Sequence, residues 1–151
     1  MQTILNTIYN ELNKSSELKY VKSITLCEDI TSVVDKGKFP FVNIEGDSKS
    51  YDDIEGFDDS IQRETYKIII QCATKHTEKK SSVMGKSPDF KGIWELCEDV
   101  YNVIIDYCES TENTTSDLRI GKKPALLQRT WIMQDKSFMA GCEFTLELYH
   151  D

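Results

Sequence analysis

Residues 90–109 carry their polar side chains on one narrow face. Glu95, Glu98, Asp99, Asn102, Asp106 and Glu109 fall together at helical spacing. Ile93, Trp94, Leu96, Cys97, Val100, Tyr101, Val103, Ile104, Ile105, Tyr107 and Cys108 fill the rest of the circumference. A helix this apolar must be covered on more than one side, by a sheet and by something else. Ser87, Pro88 and Asp89 supply the stop and cap that precede it.

The sheet is readable from period-2 patterns. Over 62–73, Tyr66, Ile68, Ile70 and Cys72 alternate with Thr65, Lys67, Ile69 and Gln71. Over 138–149, Ala140, Cys142, Phe144, Leu146 and Leu148 face one way, and Glu143, Thr145, Glu147 and Tyr149 the other. The partner run 124–134 is joined to it through Asp135, Lys136 and Ser137, a hairpin connection. It is less cleanly sided, because Arg129 shares a face with Leu127, Trp131 and Met133. Two more strands are expected at 20–26 and 39–46, with Pro40 at a strand start or edge. An opening helix over 2–14 places Ile4, Leu5, Ile8 and Leu12 on one stripe.

The expected fold is therefore α+β in one domain, 1–151. Two helices pack on a mainly antiparallel sheet of four to five strands, in the order α-β-β-β-α-β-β. Flexible loops are expected near 47–60, 74–89 and 110–123. Apolar residues make up only 39 % of the chain, below the usual ~45–50 %, which fits long polar loops.

Charge and motifs exclude several functions. With 18 basic and 26 acidic residues the chain carries −8, whereas phosphate backbones are bound by clustered Lys and Arg. No nucleic-acid recognition is expected. No apolar run approaches the ~18 residues of a membrane helix, and the start, Met1 to Asn6, has no basic region of a secretory signal. Cys27, Cys72, Cys97, Cys108 and Cys142 are odd in number, widely spaced and without a CxxC pair. They read as reduced, buried thiols of a reducing compartment. His76 falls in a Lys-rich polar loop and His150 is next to last, so neither is expected to serve catalysis or metal binding. The acidic tract from Asp47 to Asp59 lacks the spacing of a calcium loop. GxSxG and a complete phosphate loop are missing. The expectation is a non-enzyme with no cofactor and no metal.

The element order resembles the tail terminator, or tail completion, proteins of long-tailed bacteriophages and related tail-like particles. The resemblance rests on four features and covers nearly the whole chain. These are the opening helix (Ile4 to Leu12) and the strand start Phe39-Pro40-Phe41-Val42 running into a polar hairpin tip. The others are the strand Glu64 to Cys72 followed by the long helix Ile93 to Tyr107, and the closing alternation Phe144 to Tyr149. The resemblance implies a ring, commonly a hexamer, in the virion tail or neck, assembled in the host cytoplasm. Such a ring ends the growth of the tail tube and joins the head. Its partners would be further copies of itself, the major tail tube protein and a head-completion or neck protein.

A ring brings neighbours together head-to-tail, so loops of opposite charge on one chain can meet across the interface. Candidate interface residues are Asp52, Asp53, Asp58 and Asp59 on the acidic side. On the basic side they are Lys79, Lys80, Arg119, Lys122 and Lys123. The sequence also admits a small adaptor or immunity-type binding module without self-assembly.

Overall fold

The alternating segment at 62–73 forms the middle of the sheet. The computed structural model describes residues 1–53, 62–109, 118–121 and 124–150. Among these residues six strands form one sheet: β1 (Ser23–Leu26), β2 (Phe41–Asp53), β3 (Gln62–His76), β4 (Leu118–Ile120), β5 (Leu127–Ile132) and β6 (Phe138–His150). The strand order is β1-β2-β3-β6-β4, with β5 also paired to β6. Every pairing is antiparallel except that of β1 with β2. β4 pairs with β6 at 148–150 and β5 pairs with it at 138–143.

One face of this sheet meets α1 (Gln2–Lys14) and α4 (Ile93–Glu109). The stripe Ile4, Leu5, Ile8 and Leu12 is buried there with Val42, Ile44, Ile68, Ile70, Phe144, Leu146 and Leu148. From α4, Ile93, Leu96, Cys97, Val100 and Ile104 have no exposed surface. Each fully buried aliphatic side chain of this kind contributes about 1.5–3 kcal/mol. The second cover that α4 needs comes from within the chain. It packs against α1, against the 3-10 turn Ser16–Leu18 and against α3 (Lys79–Met84), as well as on the strands beneath. Contacts within the chain thus cover most of its wide apolar surface, and Trp94 stays 37 % exposed.

The fold is α+β with a mostly antiparallel sheet, and the finer count differs from the expectation. The described residues hold four helices and six strands, in the order α-β-α-β-β-α-α-β-β-β. α2 (Ile30–Asp35) is capped by Asp29, whose carboxylate accepts the Thr31 N–H at 2.9 Å, and is closed by Gly37 at φ +67°. α3 occupies the middle of the segment read as a polar loop at 74–89. It is held because Thr74 and Ser82, both fully buried, hydrogen-bond to each other through the Thr74 hydroxyl and the Ser82 carbonyl. β4 stands inside the segment read as the loop 110–123, pairing Leu118, Arg119 and Ile120 with β6. β2 continues past Gly46 through a bulge to Asp53, so part of the expected loop 47–60 is strand. The rest of that loop, 54–61, lies outside the described residues, as do 110–117 and 122–123.

Candidate functional site

The other face of the sheet is covered only in part. At one end α2 lays Val33 on Phe41 and Ala73, with Val34, Phe39 and Met139 packed around them. Cross-strand register puts Phe41, Ala73, Gly141 and Arg129 in one row across β2, β3, β6 and β5. Gly141 has no side chain to fill its place in that row. A Cβ there would come within 2.7 Å of the Trp131 ring, so the indole lies directly on the glycine backbone.

The result is a groove of about 310 Å³ between α2 and β5. Ile30, Val34, Phe41, Leu127, Trp131 and Met139 make its apolar lining, and Gln71, Arg129 and Glu143 its charged and amide lining. Leu127 is 68 % exposed, Trp131 45 % and Ile132 74 %. Among the described residues β5 pairs only with β6, so its outer edge has no neighbouring strand. Such an edge is a template for another chain, and its six residues carry three exposed large apolar side chains against one charge, Arg129.

Beside the groove runs a hydrogen-bonded polar row. The fully buried Asn43 Oδ1 accepts from the Thr25 hydroxyl (2.6 Å) and the Glu28 N–H (3.3 Å). Its Nδ2 donates to the Glu28 carbonyl (3.0 Å) and to Gln71 Oε1 (2.9 Å). Gln71 in turn donates to Glu143 (3.3 Å). This row ties β1, β2, β3 and β6 together and leaves the Asn43 amide fully satisfied.

Cations flank the open edge. Lys79 and Lys80 in the first turn of α3 line a shallow crevice with Met84, Gln128, Arg129 and Thr130. Lys79, Lys80 and Arg129 have no ion-pair partner among the described residues. Nearby lysines are paired: Lys75 with Asp135 (2.8 Å), Lys86 with Glu78 (3.6 Å) and Lys91 with Asp99 (2.8 Å). The bond from Lys75, with those from Ser137, holds the Asp135 carboxyl far below the usual carboxylate range.

The expected interface residues separate along the sheet. Asp52 and Asp53 end β2 opposite Arg63 and Gln62, at the far end of β3 from Lys79 and Lys80. Arg119 lies toward the Asp52 end, since it pairs with Tyr149 and Tyr149 with Thr65. Its guanidinium is turned inward and donates to the carbonyls of Cys108 (3.3 Å) and Leu118 (3.2 Å). Asp58, Asp59, Lys122 and Lys123 lie outside the described residues. Sequence reasoning missed Ile30, Leu127, Arg129, Trp131 and Met139. The available signal was the mixed face of the 124–134 run, where Arg129 stands between Leu127 and Trp131.

Two other clusters are structural. Tyr20 donates to Asp99 (2.7 Å), and the Lys91 ammonium bonds the same carboxylate while lying 4.9 Å from the Tyr20 ring centre. Burial, then the bond to Asp99, pushes the Tyr20 hydroxyl far above its usual range. The clamp joins the segment before β1 to α4. In the core, Cys97 of α4 stands over the cross-strand neighbours Cys72 and Cys142. The bond with Cys142 lowers the Cys97 thiol, but the bond with Cys72 and burial outweigh it and leave the group strongly raised. Burial pushes the Cys108 thiol up to about 11. Cys27, in contrast, is exposed.

His76 differs from its expected place in an exposed loop. It ends β3 half-buried, edge-on to Phe90 at 4.7 Å, and its Nδ1 accepts the Glu78 N–H at 3.0 Å. Among the described residues no group of three or more His, Cys, Asp or Glu side chains is arranged to hold a metal, and no helix is long and apolar enough to cross a membrane. No protein-family model matches the chain, and no curated protein matches it.

Proposed function

We propose that this chain is a self-assembling structural subunit of the tail-terminator kind. It forms a ring, a hexamer by the resemblance, at the head-proximal end of a phage tail tube. The ring stops tube polymerisation and offers the joining surface for the head or neck. Its partners are neighbouring copies, the major tail tube protein and a head-completion or neck protein, and its place is the virion. It works by surface contact, without catalysis or a cofactor.

One observation carries this reading: the sheet has an open, apolar edge flanked by cations that have no ion-pair partner among the described residues, while Asp52 and Asp53 end β2 at the far end of β3 from them. Two different surfaces on one subunit favour head-to-tail contacts, which close into rings when the rotation allows. Apolar contacts supply most of the stability of such an interface, and the charges set orientation and encounter rate.

The decisive experiment is removal of the protein during particle production. Tails of abnormal length that fail to join heads are expected. Tails of normal length on filled heads would refute the proposal. Sizing with light scattering gives a simpler discriminator. A ring mass supports this reading, and a monomer at every concentration supports the adaptor or immunity-type module.

A further inference from the structure

We propose that the acidic hairpin end of one copy docks on the β5 edge and its groove in a second copy, so that this contact is the joint between neighbouring subunits. The inference rests on the self-assembly reading and names the surfaces that carry it.

The occupant follows from charge, side-chain pattern and chain length. Around the hairpin end the sequence runs Tyr51-Asp52-Asp53-Ile54-Glu55-Gly56-Phe57-Asp58-Asp59, apolar residues set among carboxylates. The β5 edge offers the complement: exposed Leu127 and Trp131 beside Lys79, Lys80 and Arg129, which have no ion-pair partner among the described residues. Glu143, the acidic residue of the groove lining, is already engaged by Gln71. Tyr51 is 56 % exposed at the hairpin end and provides an aromatic anchor for an apolar groove.

Within one chain the two surfaces stand apart. The groove begins at the level of Gln71, which from Gln62, paired with Asp53 at the end of β2, is about 30 Å down β3. Complementary surfaces so far apart on one chain are placed to meet between copies.

Charge reversal on each side tests this. One variant carries Lys79→Glu, Lys80→Glu and Arg129→Glu. The other carries Asp52→Lys, Asp53→Lys, Asp58→Lys and Asp59→Lys. Each alone is expected to stay monomeric where the parent protein assembles, and an equal mixture is expected to reassemble, since each then meets its complement. A labelled synthetic peptide of residues 49–61 should bind the parent protein, with affinity at least tenfold weaker for the edge-reversed variant. Thermal melts establish that each variant is folded. If a reversal variant is not, Lys79→Gln with Arg129→Gln replaces it in the peptide measurement.

Rings formed equally well by both reversal variants, or a peptide that binds edge-reversed protein as tightly as the parent, would overturn the docking while leaving ring formation intact. A parent protein that stays monomeric yet binds the peptide, with the tenfold loss on reversal, would remove the ring reading and keep the docking surface. It would then serve an acidic segment of another protein.

Discussion

Gly92 sits where two stretches of backbone touch, and replacing it by alanine should damage the fold far more than its size suggests. A Cβ at Gly92 would lie 2.4 Å from the Gly85 nitrogen, 2.4 Å from the Val83 oxygen and 2.6 Å from the Val83 carbonyl carbon. Ordinary contact begins near ~3.4 Å, so the two strands of backbone must part by about 1 Å. Neither side yields readily. Gly85 is at φ +83° with its N–H on the Ser81 carbonyl, the Lys86 N–H donates to the Phe90 carbonyl and the Phe90 N–H to the Ser87 carbonyl, each at 3.0 Å. Gly92 also supplies the carbonyl that accepts the first bond of α4, from the Leu96 N–H at 3.1 Å, a position where alanine is poorer than glycine. Overpacking of this kind costs ~1–3 kcal/mol and the poorer cap a further ~0.5–1. A total near 3 kcal/mol lowers Tm by about 6–12 °C in a chain of this size. Gly141→Ala is the control. Its Cβ would clash only with the Trp131 ring, at 2.7 Å, the Cys72 oxygen lying at an ordinary 3.7 Å, and that half-exposed ring can swing away. The expected cost is below ~1 kcal/mol, with a red shift of indole emission. Thermal melts followed by circular dichroism compare the two. Gly92→Ala melting within about 1 °C of the parent, or below Gly141→Ala in effect, would refute the close-packing argument.

Asn43→Ala should cost about 1–2 kcal/mol in denaturant unfolding, because it removes the four hydrogen bonds of a fully buried amide and leaves the part-buried Glu28 backbone groups and Gln71 amide to water; a loss below ~0.5 kcal/mol would contradict that accounting. Asp135 is depressed by Lys75 and Ser137 in the folded chain, so its stabilising effect is full above the unfolded value near ~3.9 and is lost as pH falls toward the folded one. Asp135→Asn should therefore lower Tm at pH 7, with the difference from the parent shrinking as pH drops below about 4; a gap that persists or widens in acid would reverse the assignment. In native protein at pH 8 a thiol reagent should modify Cys27 promptly and the four buried cysteines slowly, whereas the denatured, unreduced chain should titrate as five thiols. Equal native rates for all five would show that the Cys72, Cys97 and Cys142 cluster is not buried.

The sequence by itself determined the elements long enough to repeat their period. The stripe from Ile4 to Leu12, the alternations from Tyr66 to Cys72 and Ala140 to Leu148, and most of the apolar face from Ile93 to Cys108 reach the core as read, whereas Trp94 of that face stays exposed. Burial of one face is a property each segment carries in its own spacing. Tertiary structure alone decided the rest. α2, α3 and β4 have three to six residues each, too few to show a period, and they exist because neighbours bury Val33, Ser82 and Leu118. The continuation of β2 beyond Gly46 needs β3 as a pairing partner, and the parallel register of β1 needs the long return through α2. The same holds for the candidate site. Leu127, Arg129 and Trp131 were visible as a mixed strand face, but a groove arises only when α2, well before β3 and β5 in sequence, is laid across the same sheet face. Long-range packing is a relation between segments, and no local spacing encodes it.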